Sequence, residues 1–424
     1  MDYRKRIADK LLSSKLEAMG AVLIEGPKAC GKTTTAERQA NSVIYMNDPN
    51  RESHYRQMAQ TDIRLLLKGE TPRLLDEWQD IPQLWDAVRF EVDHRDSDGQ
   101  FILTGSAVPA NTKAIRHTGT GRFGRVLMRP MSLWESGESN GSISLSELFS
   151  TPLDFGAVND LTLQHISYLV CRGGWPASLR KTSETAALTQ AAEYYKAVTS
   201  SDISRADDVK RDKQRAERIM RSYARHQGSQ ASVSTILSDI SANETMNISD
   251  ESVDSYLSAL RKIFVIEDMP AWNPNLRSKT AIRTSNTRYY VDPSVATASL
   301  GLGPGDLIND LNTLGLFFET LCVRDLRVYA DAMDGNVYHY RDKNGLECDA
   351  VIHLRNGKYG LIEIKLGGVN LIEEAAKNLK ALSGIIDTSK MNAPSFLMVL
   401  IGVGDYAYRR SDGVYIVPIG CLKD

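Results

Sequence analysis

Paired cysteines, long apolar runs and a dominant charge sign are all missing from this sequence. Its five cysteines, Cys30, Cys171, Cys322, Cys348 and Cys421, are scattered, and no two stand in CxxC spacing. That argues against a zinc site and for reduced thiols in a cytoplasm. No apolar stretch approaches the roughly 18 to 20 residues that cross a bilayer. The charged, amphipathic N-terminus MDYRKRIADKLLSSKLEAMG lacks the apolar core and cleavage site of a signal peptide. The chain reads as a cytoplasmic protein with no membrane partner. A formal net charge of −2 leaves no global field to draw in nucleic acid, so such binding would need a local patch. Repeats and low-complexity tracts are absent as well.

What remains has the balance of a globular protein, and 424 residues exceed one ordinary core, so two or three domains are expected. The first 135 residues alternate short apolar runs with helical stretches. Ala21–Glu25, Val43–Met46, Arg73–Asp76 and Gln100–Thr104 suit buried parallel strands, which predicts a doubly wound α/β sheet. The polar run Glu135–Ser146 reads as a loop or boundary. From about 147 to 270 the pattern is helical, with Val253, Tyr256, Leu257, Leu260 and Ile263 at helical spacing. After about 285, strands are expected at Arg288–Val291, Val337–Arg341, Cys348–Leu354, Leu361–Leu366 and Phe396–Val403, with a helix near Leu314–Tyr329.

Gly26-Pro27-Lys28-Ala29-Cys30-Gly31-Lys32-Thr33 fits G-x-x-x-x-G-K-[ST] in full, after the apolar run AVLIE and before the helical TTAERQA. Glycines let backbone N–H groups wrap phosphates, and a helix N-terminus adds partial positive charge. Residues Gly26 to Thr34 are thus expected to bind ATP, with Lys32 on the phosphate oxygens and Thr33 on Mg2+. The acidic pair Asp76-Glu77 ends a later strand, expected one strand over. Asp76 would join the metal's shell and Glu77 would polarise the attacking water. Ser106, at the end of the FILTGS strand, would act as a sensor of the γ-phosphate or that water. Arg122 and Arg125 are candidate fingers for a neighbouring subunit's site, and structural ion pairs are the equal alternative.

These pieces together resemble the AAA+ ATPases of the AAA_14 type that carry a C-terminal DUF4143 domain. GPKACGKTT, LLDEWQDIPQLW, ILTGS, GRFGRVLMRPMSLWE, Arg172–Pro176 (RGGWP), Tyr256–Met269, NPNLRSKT and YYVDPSVA carry the likeness over nearly the whole chain. The resemblance implies an AAA+ P-loop domain with a helical lid at 1–190. A winged-helix-like helical domain at 191–280 and an α/β PD-(D/E)XK nuclease-like domain at 281–424 would follow.

The C-terminal residues suit that implication. Turns at Asp342–Gly345 and Arg355–Lys358 would bracket a strand holding Asp349, followed by one holding Glu363 and Lys365. If these strands pair, Asp349 and Glu363 can share a divalent metal while Lys365 steadies a water or phosphate. Glu319, on the preceding helix, would add a carboxylate. A solvent-facing hairpin edge with a cross-strand ion pair is the plain alternative. The basic run Arg205, Lys210, Arg211, Lys213, Arg215, Arg218, Arg221 and Arg225 is interleaved with acids, and reads as a solvated helix before it reads as a phosphate-tracking face. Two functions stay open: an ATPase coupled to DNA or RNA through a nuclease-like domain, and an ATP-gated scaffold whose inactive nuclease-like domain binds a protein partner. A homo-oligomer is compatible with both.

Overall fold

The computed structural model describes residues 3–106, 117–151, 156–243, 248–274 and 285–424. The NPNLRSKT stretch lies outside the described residues from 275 onward. By compactness the chain forms two units, each gathered from separate stretches. The first comprises Met1–Pro130, Val198–Asp212 and Tyr256–Val265; the second comprises Met131–Ala197, Lys213–Ser255 and Ile266–Asp424.

The first unit begins with α1 (Ile7–Ala18), β1 (Ala21–Glu25), α2 (Lys32–Glu37), β2 (Ser42–Tyr45), α3 (Glu52–Asp62), β3 (Arg73–Asp76), α4 (Leu84–Arg95), β4 (Phe101–Gly105) and β5 (Phe123–Leu127). All five strands are parallel, in the order β2-β3-β4-β1-β5. Alternation explains why both faces are covered. Val22, Ile24, Leu74, Ile102 and Val126 face Ala8, Leu12, Leu16 and Ala36 of α1 and α2. Leu23, Leu75, Phe101 and Leu103 face Tyr55 of α3 and Leu84, Trp85 and Val88 of α4. Apolar residues at every position thus have somewhere to go, as in a doubly wound sheet. The order corrects one expectation: β4 lies between β1 and β3, so the acidic pair stands two strands from β1.

The chain continues through α5 (Leu133–Ser136), β6 (Ile143–Ser144), α6 (Leu145–Leu148), α7 (Leu163–Arg172), α8 (Pro176–Leu179) and α9 (Glu184–Ala197). A π-turn at Val198–Asp202 and α10 (Ile203–Arg205) belong to the first unit. Then come α11 (Lys213–Arg225), α12 (Val233–Asn243), α13 (Asp250–Lys262), α14 (Pro293–Leu300), α15 (Pro304–Asn309) and α16 (Leu311–Ala332). The middle of the chain is helical, as expected. Arg288–Val291 forms only one isolated bridge, Tyr290 to Ile266, and a second, Thr287 to Met269, lies just before it. Asp292 caps Ser294 N–H and Pro293 opens α14, which cuts any strand short.

The C-terminal α/β part holds β7 (Gly335–Arg341), β8 (Glu347–Leu354), β9 (Tyr359–Lys365), α17 (Val369–Ile385), β10 (Phe396–Ile401), β11 (Tyr408–Arg409), β12 (Tyr415–Pro418) and β13 (Leu422–Lys423). Six strands run in the order β11-β12-β10-β9-β8-β7. β7, β8 and β9 are antiparallel neighbours, whereas β10 is parallel to β9 and β12. Val351, Leu361, Val399, Ile401 and Ile416 pack on Ala375, Ala376, Leu379 and Leu382 of α17. α16 packs against β7, β8 and β9.

A buried ionic network explains three of the motif pieces. Arg324 donates to Asp292 at 2.9 Å and pairs with Asp325 at 2.7 Å, all three fully enclosed. Asp292 accepts the N–H of Gly174 at 2.9 Å, Asp325 accepts that of Leu133 at 2.8 Å, and Trp175 Nε1 donates to Ser294 Oγ at 2.9 Å. MSLWE, RGGWP and YYVDPSVA meet here. At Gly173 (φ +71°) a Cβ would lie 2.4 Å from Asp292 Oδ1, so only glycine fits.

All five cysteines are free and buried. Among the described residues, no helix is long and apolar enough to cross a membrane.

Candidate nucleotide site and C-terminal acidic cluster

The loop between β1 and α2 is bent by residues of positive φ: Gly26 at 149°, Ala29 at 61° and Gly31 at 106°. Gly26 is required, because a Cβ there would lie 2.1 Å from the Met128 carbonyl oxygen. Arg6 fixes the loop from behind, donating to the carbonyls of Cys30 at 2.9 Å and Arg129 at 2.8 Å. Lys32 is buried, and its Nζ donates to the carbonyls of Gly26 at 2.9 Å and Pro27 at 2.8 Å. A phosphate would offer that ammonium charged oxygens in place of those carbonyls. Gly31 is the N-cap of α2, so the helix's unpaired N–H groups open towards the loop. Open amides, a buried lysine and a hydroxyl–acid pair form a cradle that fits a metal-bound triphosphate.

That pair is Thr33 and Asp76. Thr33 Oγ1 donates to Asp76 Oδ1 at 2.6 Å, and Thr104 Oγ1 donates to the same oxygen at 2.6 Å. Glu77 follows at φ +53°, a left-handed turn directly after β3. Burial pushes its carboxyl above the usual range, against the opposing hydrogen bond from Gln79 and the charge of Lys32. Ser106 Oγ lies 3.5 Å from Glu77 Oε2, a long contact. The structure therefore brings together Lys32, Thr33, Asp76, Glu77 and Ser106. Sequence reasoning missed Gln79, Arg6 and the direct bond from Thr104.

Arg122 and Arg125 are tied to acids of their own unit. Arg122 Nε donates to Asp93 of α4 at 2.7 Å. Arg125 pairs with Glu25 at 3.0 Å and lies over the Trp85 ring at 5.9 Å. A finger role in a neighbouring site would require these pairs to open.

In the second unit, Glu319, Asp349, Glu363 and Lys365 converge. Lys365 Nζ lies 2.7 Å from Glu363 Oε2 and 3.1 Å from Asp349 Oδ2, bridging the two carboxylates. Asp349 Oδ2 also accepts the N–H of Ile364 at 2.7 Å. β9 is flanked by β8 and β10 and Glu363 is buried, so this is no solvent-facing hairpin edge, although the cross-strand pair of the plain alternative is present between Lys365 and Asp349. Burial, then the charge of Asp349, raises the carboxyls of both Glu319 and Glu363. Tyr289, fully buried and unanticipated, donates its hydroxyl to Glu319. Among the described residues no group of three or more His, Cys, Asp or Glu side chains is arranged to hold a metal ion; in this cluster the Lys365 ammonium stands between the acids.

At least three of the eight residues of the basic run are paired with acids. Arg211 is buried on Asp207 at 2.5 Å, Arg225 pairs with Asp239 at 2.5 Å, and Lys213 lies 3.6 Å from Glu217.

A parallel sheet with a glycine loop after one strand and an acidic pair after another, a third strand between them, defines a P-loop nucleotide-binding protein. Residues 19–136 match the family model for an AAA domain, AAA_14, and residues 314–422 match a domain of unknown function, DUF4143. The chain thus carries an AAA domain and, C-terminal to it, a DUF4143 domain. Residues 163–306 match a second domain of unknown function, DUF8612. No curated protein matches the chain in sequence. Distantly similar solved structures include two from archaea. The Walker-type ATPase PABY2304 of Pyrococcus abyssi is 16% identical with a TM-score of 0.43, over 70% of this chain and 96% of that one. The ORC1 protein of Aeropyrum pernix, solved in complex with DNA, is 13% identical with a TM-score of 0.25, over 70% and 92%.

Proposed function

We propose that this protein binds and hydrolyses ATP with Mg2+. The observation that carries the reading is the Thr33–Asp76 hydrogen bond of 2.6 Å, which joins two metal-type ligands from positions 43 residues apart beside the buried Lys32. The backbone N–H groups of the Gly26–Thr34 loop, other than at Pro27, bind phosphate, and Lys32 neutralises its oxygens. Thr33 and Asp76 hold the magnesium, which when bound withdraws charge from the phosphates. Glu77 accepts the proton of the attacking water. Its burial raises its basicity, which suits that role, and Gln79 and Ser106 orient it. Arg122 and Arg125 remain candidates for a finger offered to a second copy.

The test measures nucleotide affinity and phosphate release in the purified full chain. Lys32→Ala should lose both, and Glu77→Gln should keep affinity while turnover falls about 10²- to 10⁴-fold. Unchanged turnover in either variant sinks the assignment.

We further propose that the cluster of Glu319, Asp349, Glu363 and Lys365 is a nuclease-like site through which ATP turnover acts on DNA or RNA. A second reading, an ATP-gated scaffold with an inactive C-terminal domain, is favoured by the Lys365 bridge, since the ammonium already balances the two carboxylates. Metal-dependent cleavage of DNA or RNA that disappears in Glu363→Ala decides for the first reading. Its absence in the parent protein decides for the second.

A further inference from the structure

The phosphate loop carries a second lysine, and its partner lies far away in sequence. Lys28 Nζ meets Asp202 Oδ1 at 2.5 Å, across 174 residues, and both belong to the first compact unit. The lysine side chain is 47% exposed and the aspartate 11%. Asp202 is thus held in place while Lys28 is free to swing on its four-carbon stem.

Asp202 closes the π-turn Val198–Asp202, in which Val198, Thr199 and Asp202 are buried and Ser200 is exposed. A π-turn carries one residue more than an α-helical turn, and such turns are frequent at functional sites. Here it aims a carboxylate at the loop. Lys32 occupies the carbonyls of Gly26 and Pro27, the residues directly before Lys28. The two ammonium groups therefore belong to the same stretch of backbone, and a phosphate seated there would lie in the field of both.

We infer that Asp202 competes with bound phosphate for Lys28. The nucleotide draws Lys28 off the carboxylate, and the segment Val198–Asp212 loses its tie to the loop. Asp202 so sets the threshold at which the cradle fills. This rests on the ATP reading above.

A half-exposed ion pair shifts an equilibrium by about threefold, and that sets the size of the effect. In calorimetric titrations of the full chain with Mg-ATP, Asp202→Asn should bind about threefold tighter. Lys28→Gln should bind more weakly, and the double variant should match Lys28→Gln. Raising the salt should erase the Asp202→Asn advantage, because screening weakens the pair it removes. Hydrogen exchange gives a second readout that leaves the π-turn unaltered: saturating Mg-ATP should speed exchange across Val198–Asp212 in the parent protein. In Lys28→Gln, exchange there should be fast from the start. If the parent protein binds Mg-ATP and Lys32→Ala does not, then unchanged affinity in Asp202→Asn or Lys28→Gln, or unchanged exchange across the segment, overturns the competition alone. A parent protein with no affinity for Mg-ATP overturns the ATP reading and this inference with it.

Discussion

Thr104 donates its hydroxyl to Asp76 at 2.6 Å, from β4 to the end of β3. The strand between the phosphate loop's strand and the acidic strand is therefore no spacer, because it fixes the carboxylate that Thr33 also grips. Thr104→Val keeps the shape and removes the donor. A hydrogen bond to a charged group contributes about 1.5–3 kcal/mol, so turnover should fall about tenfold or more. Thr104→Ser should restore most of it. Separate kcat and KM measurements check this, with the larger change expected in kcat.

Gln79 donates to Glu77, and this bond favours the ionised carboxylate while burial opposes it. The acidic limb of the rate profile should therefore lie above the ordinary carboxylate range. In Gln79→Ala the ionised form loses a donor, the carboxyl rises further, and activity should disappear at a higher pH on the way down. A pH–kcat profile of both proteins reads the displacement; no displacement would separate Gln79 from the base.

Arg324 balances two fully buried acids, Asp292 and Asp325. Arg324→Met leaves both without their cation and should destabilise the protein by about 3–5 kcal/mol, measured by urea unfolding. Replacing all three residues with apolar ones should recover much of that loss, because the desolvation of the charges disappears with them.

Glu138 receives Arg172 and His165. Burial pushes its carboxyl up, but the hydrogen bonds from His165 and Arg172 outweigh this and hold it down at about 2. The folded state thus favours ionised Glu138. Its contribution is complete above the unfolded carboxyl's ordinary value near 4.5, and it is lost as the pH falls towards 2. Melting temperatures of the parent protein and Glu138→Gln should differ at pH 7 and converge in strong acid.

What could be read from the sequence was what neighbouring residues encode. β1, the glycine loop and β3 are each spelled by a few consecutive side chains. So is the C-terminal set, where turn residues and the spacing from Asp349 to Lys365 lie within one short segment. β5 escaped notice because it is a half-buried edge strand, with the exposed Arg125 in its middle and no apolar run. The seat of β4 between β1 and β3 is a matter of pairing, and strand order is not written in any one strand. Gln79 looks like any helix-start residue until Glu77 turns left-handed and meets it. Tyr289 and Asp202 act on residues 30 and 174 positions away, and no periodicity reaches that far.

The first unit draws its chain from three stretches, the last ending at Val265. During synthesis, then, the sheet with its phosphate loop can pair early, but the acid that meets Lys28 emerges much later, and the unit is complete only when residue 265 of 424 has left the ribosome. A fragment ending at Pro130 would keep every residue of the glycine motif and still be an unfinished fold.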